Sequence, residues 1–163
     1  MKGRILVSQQ DTKNAAGQNA PTSHAALHTW ERMLLGSAAV LLSALLITAA
    51  CLTPDVSGVG THEQLGFAPC SSIVWWGVPC PSCGMTTSWA YLVRGRLSAA
   101  IAANAGGTVL ALAAAISVLT LPVLAIRGHL NRAAWYSRVM LVLLLAAVVA
   151  SLVQWLWRYG LVS

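Results

Sequence analysis

MLLGSAAVLLSALLITAACL, residues 33–52, runs for twenty residues without an Asp, Glu, Lys, Arg or His. At about 1.5 Å of rise per residue, a helix of this length crosses the roughly 30 Å hydrocarbon layer of a bilayer. Each Leu, Ile or Val near its middle favours insertion by about 0.3–0.6 kcal/mol, and no Asp, Lys or Arg subtracts its roughly 3. Trp30 and Arg32 stand just before it, where a ring and a cation suit the headgroup zone. The stretch predicts a transmembrane helix. A cleaved signal fits less well, because secretory signals have a short basic start and an apolar core of about 7–15 residues. Here residues 1–29 come first, and Thr48 stands where a lipoprotein cleavage site usually has a larger aliphatic residue.

Two further charge-free runs follow, Gly106–Ile126 and Val139–Trp157. Pro122 lies near the end of the first, where it can kink the helix or begin its exit. Trp135, Tyr136, Trp155, Trp157 and Tyr159 flank the second, as an aromatic belt would. The composition agrees: 57 % of residues are hydrophobic and 9 % charged, against about 25 % charged in a soluble domain. The expected fold is an all-α integral membrane protein with three transmembrane helices, at about 33–52, 106–126 and 139–157. Its domains are a disordered polar tail, 1–29, and a membrane domain, 30–163, with the loop 53–105 between the first two spans. His24 and His28, four apart in the tail, read as solvated rather than metal-bound.

The formal charge is +6, but the cations sit at the edges of apolar runs instead of forming a patch. That pattern sets topology and argues against nucleic acid as a partner. The tail, its boundary and the connector 127–138 hold seven of the ten Lys and Arg, whereas Arg94, Arg96 and Arg158 belong to the other side. The positive-inside rule then puts the N-terminus in the cytoplasm and the loop 53–105 outside, in a bacterial cytoplasmic (inner) membrane. Transport finds little support, since the runs hold no Asp, Glu, Lys or Arg to form an ion path. Asn104 and Gln154, near span ends, read as interfacial.

Within the loop, Thr53–Gln64 is irregular, with Pro54, Gly58 and Gly60 as breakers. Leu65–Val78 crowds Phe67, Ile73, Trp75 and Trp76 into a segment too short to span, suited to the headgroup zone. Thr86–Arg94 predicts a short interfacial helix with a Trp89, Leu92 and Val93 stripe, and Arg96–Ala103 a second one. Between these pieces lies Gly77-Val78-Pro79-Cys80-Pro81-Ser82-Cys83-Gly84-Met85-Thr86-Thr87.

This motif, with Pro69-Cys70 ahead of it, resembles the core of a bacterial membrane-protein family known only as domain of unknown function 2752. The likeness covers roughly Thr53 to Ser117 and rests on the Cys-Pro-x-Cys-Gly-x-Thr signature, residues 80–86, after a hydrophobic helix. The resemblance implies a small integral membrane protein and no particular activity. Thr87 departs from it, since such sequences commonly carry Arg there.

Cys51 reads as a small apolar residue at a span end. Cys70, Cys80 and Cys83 share one loop and admit three chemistries. A structural disulfide from Cys70 to Cys80 or Cys83 would contribute about 2–3 kcal/mol by chain entropy, with Pro79, Pro81, Gly84 and Thr86 shaping the turns. A dithiol redox site would use Cys80 as the attacking thiol and Cys83 as the resolving one, ahead of a helix N-terminus that favours thiolate. A metal site would need four ligands, and the candidates are Cys70, Cys80, Cys83 and His62. The expectation is a non-enzymatic membrane protein without cofactor or bound metal, its loop serving structure or the docking of a second membrane protein. The alternative is a membrane-bound thiol–disulfide oxidoreductase.

Overall fold

The structure, a computed structural model, describes residues 27–127 and 130–160, and all its regular elements are helical. The tail reading and His24 fall outside these residues. Helix α1 (Thr29–Cys51) opens at His28, whose N–H donates to Glu31 Oε2 at 2.7 Å, and ends ahead of Pro54. A 3-10 turn (Thr61–Leu65) and three short helices follow: α2 (Ser71–Trp76), α3 (Met85–Leu92) and α4 (Leu97–Ala103). Helix α5 (Ala105–Arg127) carries Pro122 inside it, and α6 (Leu130–Trp155) ends in a π-turn (Leu156–Gly160).

Three helices are long and apolar enough to cross a membrane: Thr29–Cys51, Ala105–Arg127 and Arg132–Gly160. The last begins earlier than its charge-free run suggests. Arg132, Trp135 and Arg138 continue the helix, because long side chains at a helix end keep their polar tips at the interface while the backbone stays helical. The large apolar side chains mostly point outward, including Val40 at 71 %, Leu119 at 74 % and Val142 at 64 % exposed. Water would not tolerate so much apolar surface, and lipid requires it. The protein is a multi-pass membrane protein.

Helix α5 is the middle member: it packs on α1 and on α6, while among the described residues α1 and α6 do not pack on each other. Its buried face is made mostly of small residues, Gly106, Gly107, Thr108, Ala111, Ala113, Ala114 and Ser117, with Leu121 the one large member. In lipid there is little hydrophobic drive between helices, so close backbone approach supplies the attraction. The two glycines serve different neighbours. A Cβ on Gly106 would overlap Ala147 O and Ser151 Oγ of α6, whereas one on Gly107 would meet Met85 Cα of α3 at 3.1 Å.

Arginines tie the helix ends. Arg32 donates from Nε to Ala125 O and from Nη2 to Ile126 O, both at 2.6 Å, so α1 starts where α5 finishes. At the opposite end Arg94 donates to Ala49 O, Ala50 O and Leu52 O at 3.3, 3.0 and 2.6 Å. These are orphan carbonyls at a helix C-terminus, where a cation also suits the dipole.

The short helices depart from their expected stripe. Helix α3 buries Thr87, Ser88, Ala90 and Tyr91, and Val93 is exposed. Small and hydroxyl-bearing residues let α3 lie close to α4 and α5, so they take the inner face. Trp89 is half-buried, and its Nε1 is the one buried side-chain polar atom without a partner among the described residues.

Candidate functional site

The site is the turn 79–84, seated on the ends of α5 and α6. Gly84 is its hinge. It has φ +84°, and a Cβ there would meet Gly58 O at 2.6 Å and Ala103 O at 2.8 Å, so both conformation and space demand glycine. Cys83 N–H donates back to Cys80 O at 3.0 Å, closing the turn before α3 begins.

Asn104, 3 % exposed, stands between α4 and α5 and holds the turn from beneath. Its Nδ2 donates to Pro81 O and Cys83 O, each at 3.1 Å. Its Oδ1 accepts from Gly107 N at 2.7 Å and from Ser151 Oγ at 2.9 Å. Trp155 adds a bond from Nε1 to Pro79 O at 2.5 Å. Gln154 bridges the same corner, accepting from Ala105 N at 2.6 Å and donating to Ile101 O at 2.9 Å. Thus Asn104 and Trp155 fasten the turn, and Gln154 ties the α4–α5 corner beside it to α6. A signal was available: Ser151 and Gln154, three apart on a helix, share one face.

Thr87 is fully buried and pairs with Thr61 Oγ1 at 2.8 Å. Thr61 in turn accepts from Asp55 N at 3.0 Å, pinning the 53–61 segment to α3.

The structure brings Cys70, Cys80 and Cys83 together and leaves Cys51 apart. The three sulfurs all lie within 4.8 Å of one another, and Cys80 Sγ is 3.1 Å from Cys83 Sγ. All four cysteines are free thiols. Cys80 N–H donates to Cys83 Sγ at 3.3 Å, and Ser82 Oγ sits 3.2 Å from Cys80 Sγ. The cluster opens on a cavity of about 340 Å³ whose walls include His62, Met85, Thr86 and Thr87. Pro79 and Pro81 lie on the turn's other side, facing Asn104 and Trp155.

The thiols are unequal. A hydrogen bond from the Cys83 thiol, helped by backbone N–H groups of Ser72 and Ile73, pulls Cys70 down to about 6 against the opposing effect of burial. Burial, then its hydrogen bonds to Cys80 and Cys70, pushes Cys83 up to about 12. The thiol whose pKa the cluster lowers is therefore Cys70, a third member that stands outside the Cys80–Cys83 pair. Packing decides this, because Cys70 reaches the motif only through the tertiary fold.

A pH-dependent consequence follows. An acid with a lowered pKa is ionised above that value, so Cys70 gains thiolate as pH rises through about 6. At pH 7 it is about nine-tenths thiolate, some 90-fold more than a thiol of pKa 9, while each thiolate is roughly 20-fold less nucleophilic. Peptide-mapped alkylation of metal-free protein should show Cys70 reacting about fivefold faster than an ordinary thiol at pH 7, with a midpoint near 6. Cys83 should stay nearly inert. A common midpoint near 9 for both would contradict this electrostatic picture.

The profile of a family described as protein of unknown function (DUF2752) matches residues 70–118. That segment begins at Cys70 and contains the turn, α3, α4 and the first half of α5. No curated protein matches the chain, and no solved structure matches it.

Proposed function

We propose that the protein is a non-enzymatic, multi-pass component of a bacterial cytoplasmic membrane, whose extracytoplasmic loop is a rigid platform that docks a second membrane protein. The observation that carries this reading is the convergence of Asn104 and Trp155 on the backbone of residues 79–83, which holds the loop in place. Beside the platform, α2 packs against no other helix among the described residues. It exposes Trp75 at 76 % and Trp76 at 72 %, with the rings edge-on at 6.2 Å. Aromatic rings of this kind dominate the energetics of docking sites and are equally at home in lipid headgroups.

The orientation rests on charge. Arg32, Arg127, Arg132 and Arg138 belong to one end of the helix bundle and Arg94, Arg96 and Arg158 to the other, and the tail adds its cations to the first group. Positive-inside places that group in the cytoplasm. An impermeant thiol reagent applied to intact cells after mild reduction is expected to label Cys70. Labelling seen only after lysis reverses the topology.

One observation favours a second reading, thiol–disulfide exchange: the 3.1 Å approach of the Cys80 and Cys83 sulfurs. Here Cys80 and Cys83 would pass two electrons and two protons to a partner's disulfide, becoming a disulfide as the partner becomes a dithiol. Cys83→Ser would then trap a mixed disulfide through Cys80 on a non-reducing gel. A docking platform leaves no such species.

A further inference from the structure

The three sulfurs converge from two separate places in the chain, Cys70 ahead of α2 and the Cys80–Cys83 turn. We propose that Cys70, Cys80 and Cys83 form a thiolate site for a thiophilic d10 cation, zinc or copper(I), with His62, which lines the same cavity, moving in as the fourth donor. The proposal rests on the platform reading for the rigidity of the loop, and it names a ligand class for that loop.

Distances carry it first. Around an ion with metal–sulfur bonds of about 2.3 Å, tetrahedral geometry separates sulfurs by about 3.8 Å. The present separations run from 3.1 Å for Cys80 and Cys83 to no more than 4.8 Å across the cluster. Each pair therefore needs to move by only about 1 Å, within reach of a χ1 adjustment. Hydrogen bonding carries it second. Thiolates gathered on a cation leave excess negative charge, and outer N–H and O–H donors stabilise such charge. Donors are already in place: Cys80 N–H on Cys83 Sγ and the Ser82 hydroxyl at Cys80 Sγ. The cavity carries it third. With about 340 Å³ bounded by the sulfurs, His62, Thr86 and Thr87, the site has room for the ion and the His62 ring. Soft sulfur donors select zinc or copper(I) over magnesium or calcium. Binding sends the remaining thiol protons to solvent, with no change in oxidation state of the sulfurs.

The test uses full-length protein in lipid nanodiscs, reduced and stripped with chelator. Zinc and, in a separate arm, buffered copper(I) are titrated and bound metal is counted. One ion per chain is expected, with cobalt(II) giving thiolate charge-transfer absorption. Outer-shell changes alone cost about 10–100-fold in affinity, so Cys70→Ser, Cys80→Ser and Cys83→Ser should each cost at least about 100-fold. His62→Ala should cost less, and Cys51→Ser nothing. Because a variant can misfold, the wild type supplies a second readout: metal should slow alkylation of Cys70, Cys80 and Cys83 together and leave Cys51 unchanged. Binding of neither ion by reduced, folded wild type, or equal binding by the triple Ser variant, overturns the proposal. So does alkylation indifferent to metal. Such a failure leaves the platform and its orientation intact, since those are read by labelling on cells without added metal.

Discussion

Asn104→Leu is expected to release the motif turn from the helix ends and to destabilise the protein by about 3–5 kcal/mol. The two side chains are close in size, so the effect does not come from a cavity. It comes from four hydrogen bonds lost at a residue only 3 % exposed. Pro81 O and Cys83 O lose their donor, and Gly107 N and Ser151 Oγ lose their acceptor. Each buried group left unpaired costs about 1–3 kcal/mol, somewhat less where water can reach it. Thermal unfolding in detergent reads the stability. Alkylation of Cys83, protected in the wild type, should accelerate as the turn detaches. Ser151→Ala removes a single bond and should cost about 1 kcal/mol. A Leu variant that unfolds at the wild-type temperature with Cys83 still protected would show that Asn104 does not hold the turn.

Gly106→Leu should be nearly as damaging, whereas Gly36→Leu should be tolerated. Both glycines sit inside spanning helices, so propensity alone predicts the same gain for each, up to about 1 kcal/mol. Their surroundings differ. A Cβ on Gly36 meets nothing within 4 Å, but one on Gly106 overlaps the Ala147 carbonyl and the Ser151 hydroxyl. A backbone carbonyl cannot rotate away, so α6 would have to separate from α5. Overpacking costs about 1–3 kcal/mol per site and more where backbone blocks relief. Separation would also weaken the Tyr136 to Ser117 hydrogen bond, 2.5 Å, further along the same seam. Membrane abundance and detergent thermal unfolding of the two variants decide the matter. Equal behaviour would mean that α5 and α6 do not approach at Gly106.

The membrane domain was legible because its signal is local. A run such as residues 33–52 needs no partner to be apolar, and insertion energies add residue by residue. The third span shows the limit of that rule. A charge-free window starts at Val139, while the helix itself begins at Leu130 and takes in Arg132 and Arg138. The window stops at charge, and the helix does not, because a long cationic side chain can reach water from inside it. The cysteines were legible as chemistry and illegible as a constellation. Nothing in the spacing says whether Cys70 reaches Cys80, or that the cluster lowers the pKa of Cys70. Tyr136 and Trp155 were read as belt residues because aromatic rings at span ends commonly are. Only inward hydrogen bonds, to Ser117 Oγ and Pro79 O, reveal their structural use.

By itself, then, the amino-acid order determined that the chain lives in lipid, that its spans are three, and that its reactive sulfurs lie on the loop between the first two. The tertiary structure alone decided that those sulfurs meet, which of them is acidic, and that Asn104 anchors their turn. The division has one cause. Transfer into a bilayer is a sum over neighbouring residues, whereas a site is a product of distances between residues 20 to 80 positions apart, such as Asn104 with Pro81 and Trp155 with Pro79. Those distances exist only after the helices have packed.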